Sequence, residues 1–288
     1  MKAKNKAILY VLFSALGFAF MNMFVKMAGE LPFLQKCFFR NFVAFFFALG
    51  IAVKQKIPFR QPRDGMKHVL LRSIFGGVGM LGNFYAIDHL VIADASMLNK
   101  LSPFFAIIFS IILLKEKPKA YQMICVVVAF MGALFILKPG GEGLLSLPAF
   151  IGMLGGAGAG FAYTNVRLAT AKGVDKAFIV AFFSAFTCLL CLPGLIMNHA
   201  PMTGFQWFCM IMTGACATIG QVGITSAYSL AKASEISVYD YTMIIFAAIL
   251  GMIFLKEMPD LWSILGYVII IGAGVVMFLL NNRSPKAD

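Results

Sequence analysis

Apolar residues run in long blocks separated by short segments where proline, glycine and charge concentrate. A block of about 18 or more apolar residues is what a helix needs to cross the hydrocarbon layer of a bilayer. Ten such helices are predicted, near 7–28, 34–53, 68–88, 94–114 and 120–137, and then near 149–171, 177–197, 204–230, 236–255 and 261–280. The expected fold class is an all-α polytopic membrane protein with ten transmembrane helices.

Composition narrows this further. The 288 residues are 61% apolar, include 27 glycines, and are only 12% charged, where a soluble domain keeps about a quarter of its residues charged. A soluble domain is excluded, and little mass is left outside the membrane. The net charge of +12 sits in short clusters between apolar blocks, such as Lys2-Lys4-Lys6, Lys54 to Lys67, and Lys115-Lys117-Lys119. With the N-terminus in the cytoplasm, sixteen Lys and Arg fall on the inner side and four on the outer. That bias predicts cytoplasmic termini at both ends and argues against nucleic acid as a partner. The longest loop, about 54–67, is too small for a catalytic domain, and no GxxxxGK[ST] loop is present, which excludes a self-contained ATP-driven pump. All six cysteines lie in apolar runs, and Cys188 and Cys191, though spaced CxxC, have no His or acidic neighbour; neither a disulfide framework nor a redox or metal role is expected. Three lysines before an apolar run resemble a signal peptide. The run continues to about Met27 without a small-residue cleavage site, and nine more spans follow, so it reads as a retained first helix.

The two halves of the chain resemble each other. Gly17-Phe18-Ala19-Phe20-Met21-Asn22 matches Gly160-Phe161-Ala162-Tyr163-Thr164-Asn165. Phe38-Phe39-Arg40 matches Phe182-Phe183-Ser184, and Leu114-Lys115-Glu116-Lys117-Pro118 matches Leu255-Lys256-Glu257-Met258-Pro259. The offsets are 143, 144 and 141 residues, in the same order along the chain. Five spans per copy is an odd number, so the second copy enters the membrane upside down relative to the first. Two inverted five-helix repeats, over 1–140 and 141–288, place a solute site near the midplane at their interface and allow alternating access.

Ile236 to Tyr241, Phe246 to Gly251, Lys256 to Asp260 and Gly266 resemble the second EamA-type domain of the drug/metabolite transporter superfamily. Leu101 to Ala106 with Lys115-Glu116 are similar to the corresponding parts of the first. The resemblance covers essentially the whole chain. It implies a transporter in the plasma membrane, the inner membrane of a bacterium, and leaves the solute open among amino acids, nucleotide-like metabolites, vitamins, carboxylates and xenobiotics. Many members have Gly where Lys115 and Lys256 stand here.

An ionisable side chain inside a span is expensive and marks a candidate site by default. Arg40, Lys100, Arg167 and Asp240 are the four candidates; Arg72 also falls within a span. At 1.5 Å per residue, Arg40 and Lys100 are expected roughly 9 Å in from the outer ends of the second and fourth helices, where they can share an electropositive cavity. Asp240 and Arg167 are expected toward the cytoplasmic side as an inner, gating pair. Snorkelling to headgroups or a static bridge is the alternative for the arginines. Asn22 and Asn165 are repeat mates; with Asn83, Asn99 and Gln221 they must find hydrogen-bond partners, in a neighbouring helix or a solute. Pro103 frees a backbone carbonyl near Lys100 and is expected to kink the fourth helix there. Tyr85, Tyr163, Tyr228, Tyr239 and Tyr241 are candidates for stacking on a flat solute. The glycine runs 76–82 and 155–160 read as close helix contacts rather than nucleotide-binding loops, since no strand precedes either.

Three buried cations against one anion predict an electropositive cavity. The expected function is transport of a small organic anion or zwitterion, such as an amino acid, a carboxylate or a nucleotide-like compound. Arg40 and Lys100 would hold it, with Asn22, Asn99, Asn165, Tyr85, Tyr163 and Tyr239 orienting it. Asp240, Arg167 and Pro103 would gate or couple, with protons as the candidate coupling ion. An exporter of cationic or amphipathic drugs and a lipid flippase are the alternatives on the same scaffold. An intramembrane enzyme would need nucleophile, metal or paired-acid machinery, whereas His68, His89 and His199 all fall at helix ends and Asp240 is the one acid placed deep in a span. No catalytic residue, metal or cofactor is expected; the partners are the solute and the bilayer, and the chain is expected as a monomer or homodimer.

Overall fold

The computed structural model describes residues 3–58, 60–114, 118–137, 146–230 and 237–283. Every regular element among them is helical. Hydrocarbon offers no partners for backbone N–H and C=O groups, and a helix satisfies them locally. The elements α1 (Ala3–Met27), α2 (Phe33–Lys54), α3 (Arg63–His89), α6 (Ala120–Leu137), α7 (Leu147–Ala171), α8 (Lys176–Met197), α9 (Gly204–Leu230) and α11 (Leu261–Arg283) fall where apolar blocks predict them. Seven stretches are long and apolar enough to cross a membrane, and Ala120–Ile136 and Tyr239–Leu255 are shorter apolar helices. The 25 residues of α7 suffice in length, but its five glycines dilute its hydropathy.

Two apolar blocks depart from the continuous helices predicted for them. The fourth divides into α4 (Ile92–Asn99) and α5 (Ser102–Leu114), parted at Lys100-Leu101. The ninth starts as a 3₁₀ turn (Ser237–Tyr241), continues as α10 (Thr242–Leu250), and ends in a π turn (Gly251–Leu255) closed by Lys256 in the left-handed conformation at φ 54°. Pro103 lies in the first turn of α5, where its missing N–H would have no helical partner anyway. The break lies just N-terminal to the proline, where Pro103 cannot donate to the Asn99 carbonyl and its ring disfavours a helical turn before it, so the kink expected near Lys100 is found there.

The helices pack in antiparallel pairs: α3 along α7, α1 along α9, α2 along α8, and α6 along α11. Secondary contacts join α5 to α7, α1 to α10, α2 to α9, α3 to α8, and α4 to α10. The α3–α7 pair is close enough that a Cβ at Gly79 would lie 2.8 Å from the carbonyl oxygen of Gly155. Only glycine permits that backbone contact, as expected where van der Waals packing rather than water exclusion joins helices. Large apolar side chains such as Phe46, Phe47, Ile112, Ile196 and Val268 point outward and are exposed, which suits a surface bathed in lipid. The ends of α2, α7 and α9 lie with the start of α1 on one face, here the N-terminal face. The α1–α2, α3–α4 and α8–α9 connections lie on the opposite face.

Candidate substrate cavity

A cavity of about 540 Å³ opens between α2, α8 and α9. Gln55, Asp175, Lys176 and Ser226 stand at its mouth on the N-terminal face, and Ala44, Ala48, Val180 and Ala217 form apolar walls. Arg40, Phe183 and Ser184 close its far end. Arg40 is 15 residues before Gln55 in sequence, so the cavity runs roughly 22 Å along α2 at the rise of a helix. Asp175 shapes the mouth by accepting the N–H of Ala177 at 2.7 Å as the cap of α8, while its own N–H donates to Gln61 Oε1 at 2.9 Å. Gly173, at φ 80°, makes the turn into that cap.

The far end is polar and incompletely satisfied. Arg40 is buried and donates through Nη1 to Asn41 Oδ1 at 2.7 Å. Asn41 is fixed in turn by donating to the carbonyl of Cys37 at 2.8 Å. Arg40 Nε and Ser184 Oγ are buried without a hydrogen-bond partner. These two residues are the ones the sequence match pairs, and both line this cavity. Behind them, buried Arg72 on α3 lies with its guanidinium carbon 3.6 Å from the ring centroid of Phe183, and that of Arg40 lies 6.0 Å from the same centroid. Arg72 Nε and Nη1 have no partner either. Among the described residues, no carboxylate lies within ion-pair distance of Arg40 or Arg72.

Lys100 does not join Arg40. Its ammonium donates to Asp240 Oδ2 at 2.6 Å, so the outer pair of Arg40 with Lys100 and the inner pair of Asp240 with Arg167 are both replaced. The reason is the two helix breaks: Lys100 leaves the end of α4, which packs on α10, and the 3₁₀ turn leading into α10 carries Asp240. Asp240 Oδ1 has no hydrogen-bond partner among the described residues. Arg167 is exposed on α7. A second acid is buried beyond the one expected: Asp94 accepts the Tyr267 hydroxyl at 2.6 Å. It sits at the start of an apolar block, where sequence reading places the helix end in the interface.

The remaining candidates are spread over the molecule. Asn22 donates to Ser96 Oγ at 3.0 Å, while its repeat mate Asn165 donates to the Phe161 carbonyl at 3.0 Å and meets His68 Nδ1 at 3.0 Å. Asn99 is half-buried beside Gly156. Tyr85 stacks on His89 at 4.2 Å near the opposite face, Tyr239 meets Phe278 edge-on at 6.4 Å, and Tyr163 is largely exposed. Of the polar residues singled out in the sequence, Arg40 and Gln221 line the cavity. Lys115-Glu116 and the side chain of Tyr228 lie outside the described residues.

Ion pairs tie the opposite face. Lys26 at the end of α1 pairs with Glu257 and donates to the carbonyl of Leu90, and Glu257 Oε2 accepts the N–H of Ile92 at 3.0 Å, capping α4. Lys36, fully buried on α2, pairs with Asp88 on α3 at 2.5 Å. Gln35 exchanges hydrogen bonds with Ala200 at 2.9 and 3.0 Å, and Gln206 Nε2 donates to the Ala28 carbonyl at 3.0 Å. Left-handed Lys256 aims Glu257 at α4, and its sequence signature is the Lys-Glu pair closing the ninth block.

The EamA-like transporter family model matches the chain twice, over residues 5–138 and 146–280. The pseudopaline exporter CntI of Pseudomonas aeruginosa is 32% identical over 98% of both chains. An uncharacterized transporter of Helicobacter pylori is 28% identical over 93% of both. Human solute carrier family 35 member G1 is 24% identical over 95% of this chain and 80% of its own. A solved crystal structure superimposes with a TM-score of 0.67 at 17% identity, covering 97% of this chain and 98% of the other; at that identity the likeness speaks for the fold alone.

Proposed function

The chain belongs to the EamA-like transporter family, and from that premise we propose that it carries a small organic anion or zwitterion across the membrane by alternating access. The protein is a multi-pass membrane transporter of small molecules by family. The solute class, the route and the residues are this proposal. Its single strongest support is the cavity: it opens at one face, ends on an arginine with an unused donor, and is separated from the other face by ion pairs.

Ten spans in two inverted repeats, 1–140 and 141–288, are the frame. The family model matching twice supports it. So does the packing, which maps onto itself when the first five apolar blocks are exchanged with the last five: α1–α9 exchanges with α7–α3, α5–α7 with α10–α1, and α2–α9 with α8–α3, while α2–α8 and α6–α11 map onto themselves. Arg40 and Ser184 then stand near the axis relating the halves, where inverted-repeat carriers hold their solutes.

The positive-inside bias makes the N-terminal face cytoplasmic and so makes this an inward-facing arrangement. The solute loads from the cytoplasm and leaves on the other side, an export direction in keeping with the CntI relative. For that, Lys26–Glu257 and Lys36–Asp88 must part. Breaking partly buried pairs costs several kcal/mol, and the solute must offset that by binding the outward-facing state more tightly. Lys100–Asp240 lies between the two broken helices, and a proton on Asp240 would weaken the pair; this is the coupling step we assign, with protons as the coupling ion.

The test is transport by purified protein in proteoliposomes, using amino acids, carboxylates, nucleotide-like metabolites and lipophilic cations, with and without a pH gradient. Saturable carriage of carboxylate-bearing solutes, stimulated by the gradient, is expected. Carriage confined to lipophilic cations, or scrambling of labelled lipid, would overturn it.

A further inference from the structure

We infer that Arg40, Arg72 and Ser184 form a recognition site for a solute bearing two closely spaced carboxylates, with Phe183 as the ring both guanidiniums share. This rests on the transport reading above and names the solute chemistry of its cavity.

The charge at the far end of the cavity is unbalanced. Two guanidiniums are buried, 6% and 5% exposed, inside apolar helices, and among the described residues neither has a carboxylate in ion-pair reach. Lys26, Lys36 and Lys100 each have one, so these helices do neutralise buried cations elsewhere. A buried cation without a counter-charge is costly, and stacking on Phe183 offsets only part of that cost. Three guanidinium nitrogens and one hydroxyl are left without partners. A guanidinium presents paired donors in a fork that fits a carboxylate, and Ser184 adds a donor from the facing helix. Two cations and, among the described residues, no anion beside them call for a ligand carrying two negative charges.

The rest of the cavity limits the body of that ligand. Ala44, Ala48, Val180 and Ala217 line the path to the far end, which suits an uncharged, partly aliphatic remainder, and about 540 Å³ is within the usual range for small-molecule sites. Arg72 does not line the cavity wall itself; it lies against Phe183, which does. Rotation of the Phe183 side chain is the motion that lets a second carboxylate reach it. Gly76 makes room for this arrangement: a Cβ there would come 2.7 Å from Arg72 Nη1 and 3.3 Å from the Phe183 ring.

The experiment is the thermal stability of the purified full-length protein in detergent, titrated with succinate, citrate, acetate and uncharged succinamide. Succinate or citrate should raise the melting temperature saturably, acetate weakly, and succinamide not at all. Arg40→Gln and Arg72→Gln should each weaken the succinate effect about tenfold or more, as loss of a charge-assisted bond does, and Ser184→Ala should weaken it severalfold. Gly76→Ala, which keeps every charge but displaces Arg72, should weaken it too. Without ligand, Arg72→Met should melt no lower than the wild type, because it removes an uncompensated charge; a lower melting point marks Arg72 as merely structural and overturns the site. A response to succinate that survives Arg40→Gln and Arg72→Gln, or no wild-type response to either polycarboxylate, also overturns it. Carboxylate transport that is unaffected by these variants faults the site and leaves the transport reading standing; carboxylate stabilisation without transport does the reverse.

Discussion

Lys100 and Asp240 are 140 residues apart and meet at 2.6 Å with both side chains largely shielded. Removing one partner leaves the other charge buried, so Lys100→Met and Asp240→Asn should each destabilise by about 3 kcal/mol, and the double variant should recover part of that loss. A double-mutant cycle on melting temperature checks this, and additive losses would mean that the contact carries no coupling. In proteoliposomes, Asp240→Asn should abolish stimulation by a pH gradient while leaving solute exchange measurable. At this scale the sequence showed which residues are expensive and left open what each one faces. Arg40 is legible because a charge interrupts an apolar block. Its neighbour Phe183 is one of 30 phenylalanines, and Arg72, equally visible as a charge, acquires meaning only from sharing that ring.

Broken elements do more here than continuous ones. The gap between α4 and α5 and the 3₁₀ turn before α10 bring Lys100 to Asp240, and the π turn with left-handed Lys256 brings Glu257 to the start of α4. Pro103 occupies a first-turn position that tolerates it, so Pro103→Ala should cost less than about 1 kcal/mol, measured as a shift in melting temperature small beside that of Lys100→Met. The α3–α7 contact should be far less tolerant. Gly79→Ala places a methyl against the Gly155 carbonyl and should destabilise by about 1–3 kcal/mol through forced separation of the helices. The apolar blocks were enough to place the helices, since any continuous helix reads as a run. Of the breaks, the one in the fourth block was legible, because Pro103 stops a helix on its N-terminal side; those in the ninth block were not, because no proline stands there and its ends meet partners from the other half of the chain.

Across the whole molecule, a cavity open at one face and ion pairs at the other are, on the alternating-access proposal, one half of a transport cycle. Glu257→Gln, which removes the ion pair with Lys26 while its amide oxygen can still accept the Ile92 N–H, should shift the population toward the state open at the opposite face. Single cysteines at Ala44 and Ala48 report this: labelling by an impermeant thiol reagent from the N-terminal face should slow in the Glu257→Gln variant, on a background lacking the native cysteines. An unchanged labelling rate would mean the pair does not hold that face closed. Hydrophobic blocks, the scarcity of charge and the spaced repeat motifs determined by themselves that this chain is a helical membrane protein with two related halves, because a bilayer imposes its thickness and its lack of hydrogen-bond partners on every residue in turn. Which charges neutralise each other, and which stay unpaired around one ring, was decided only by tertiary structure. Those pairings join residues far apart in sequence, and their energies depend on distances that periodicity does not encode.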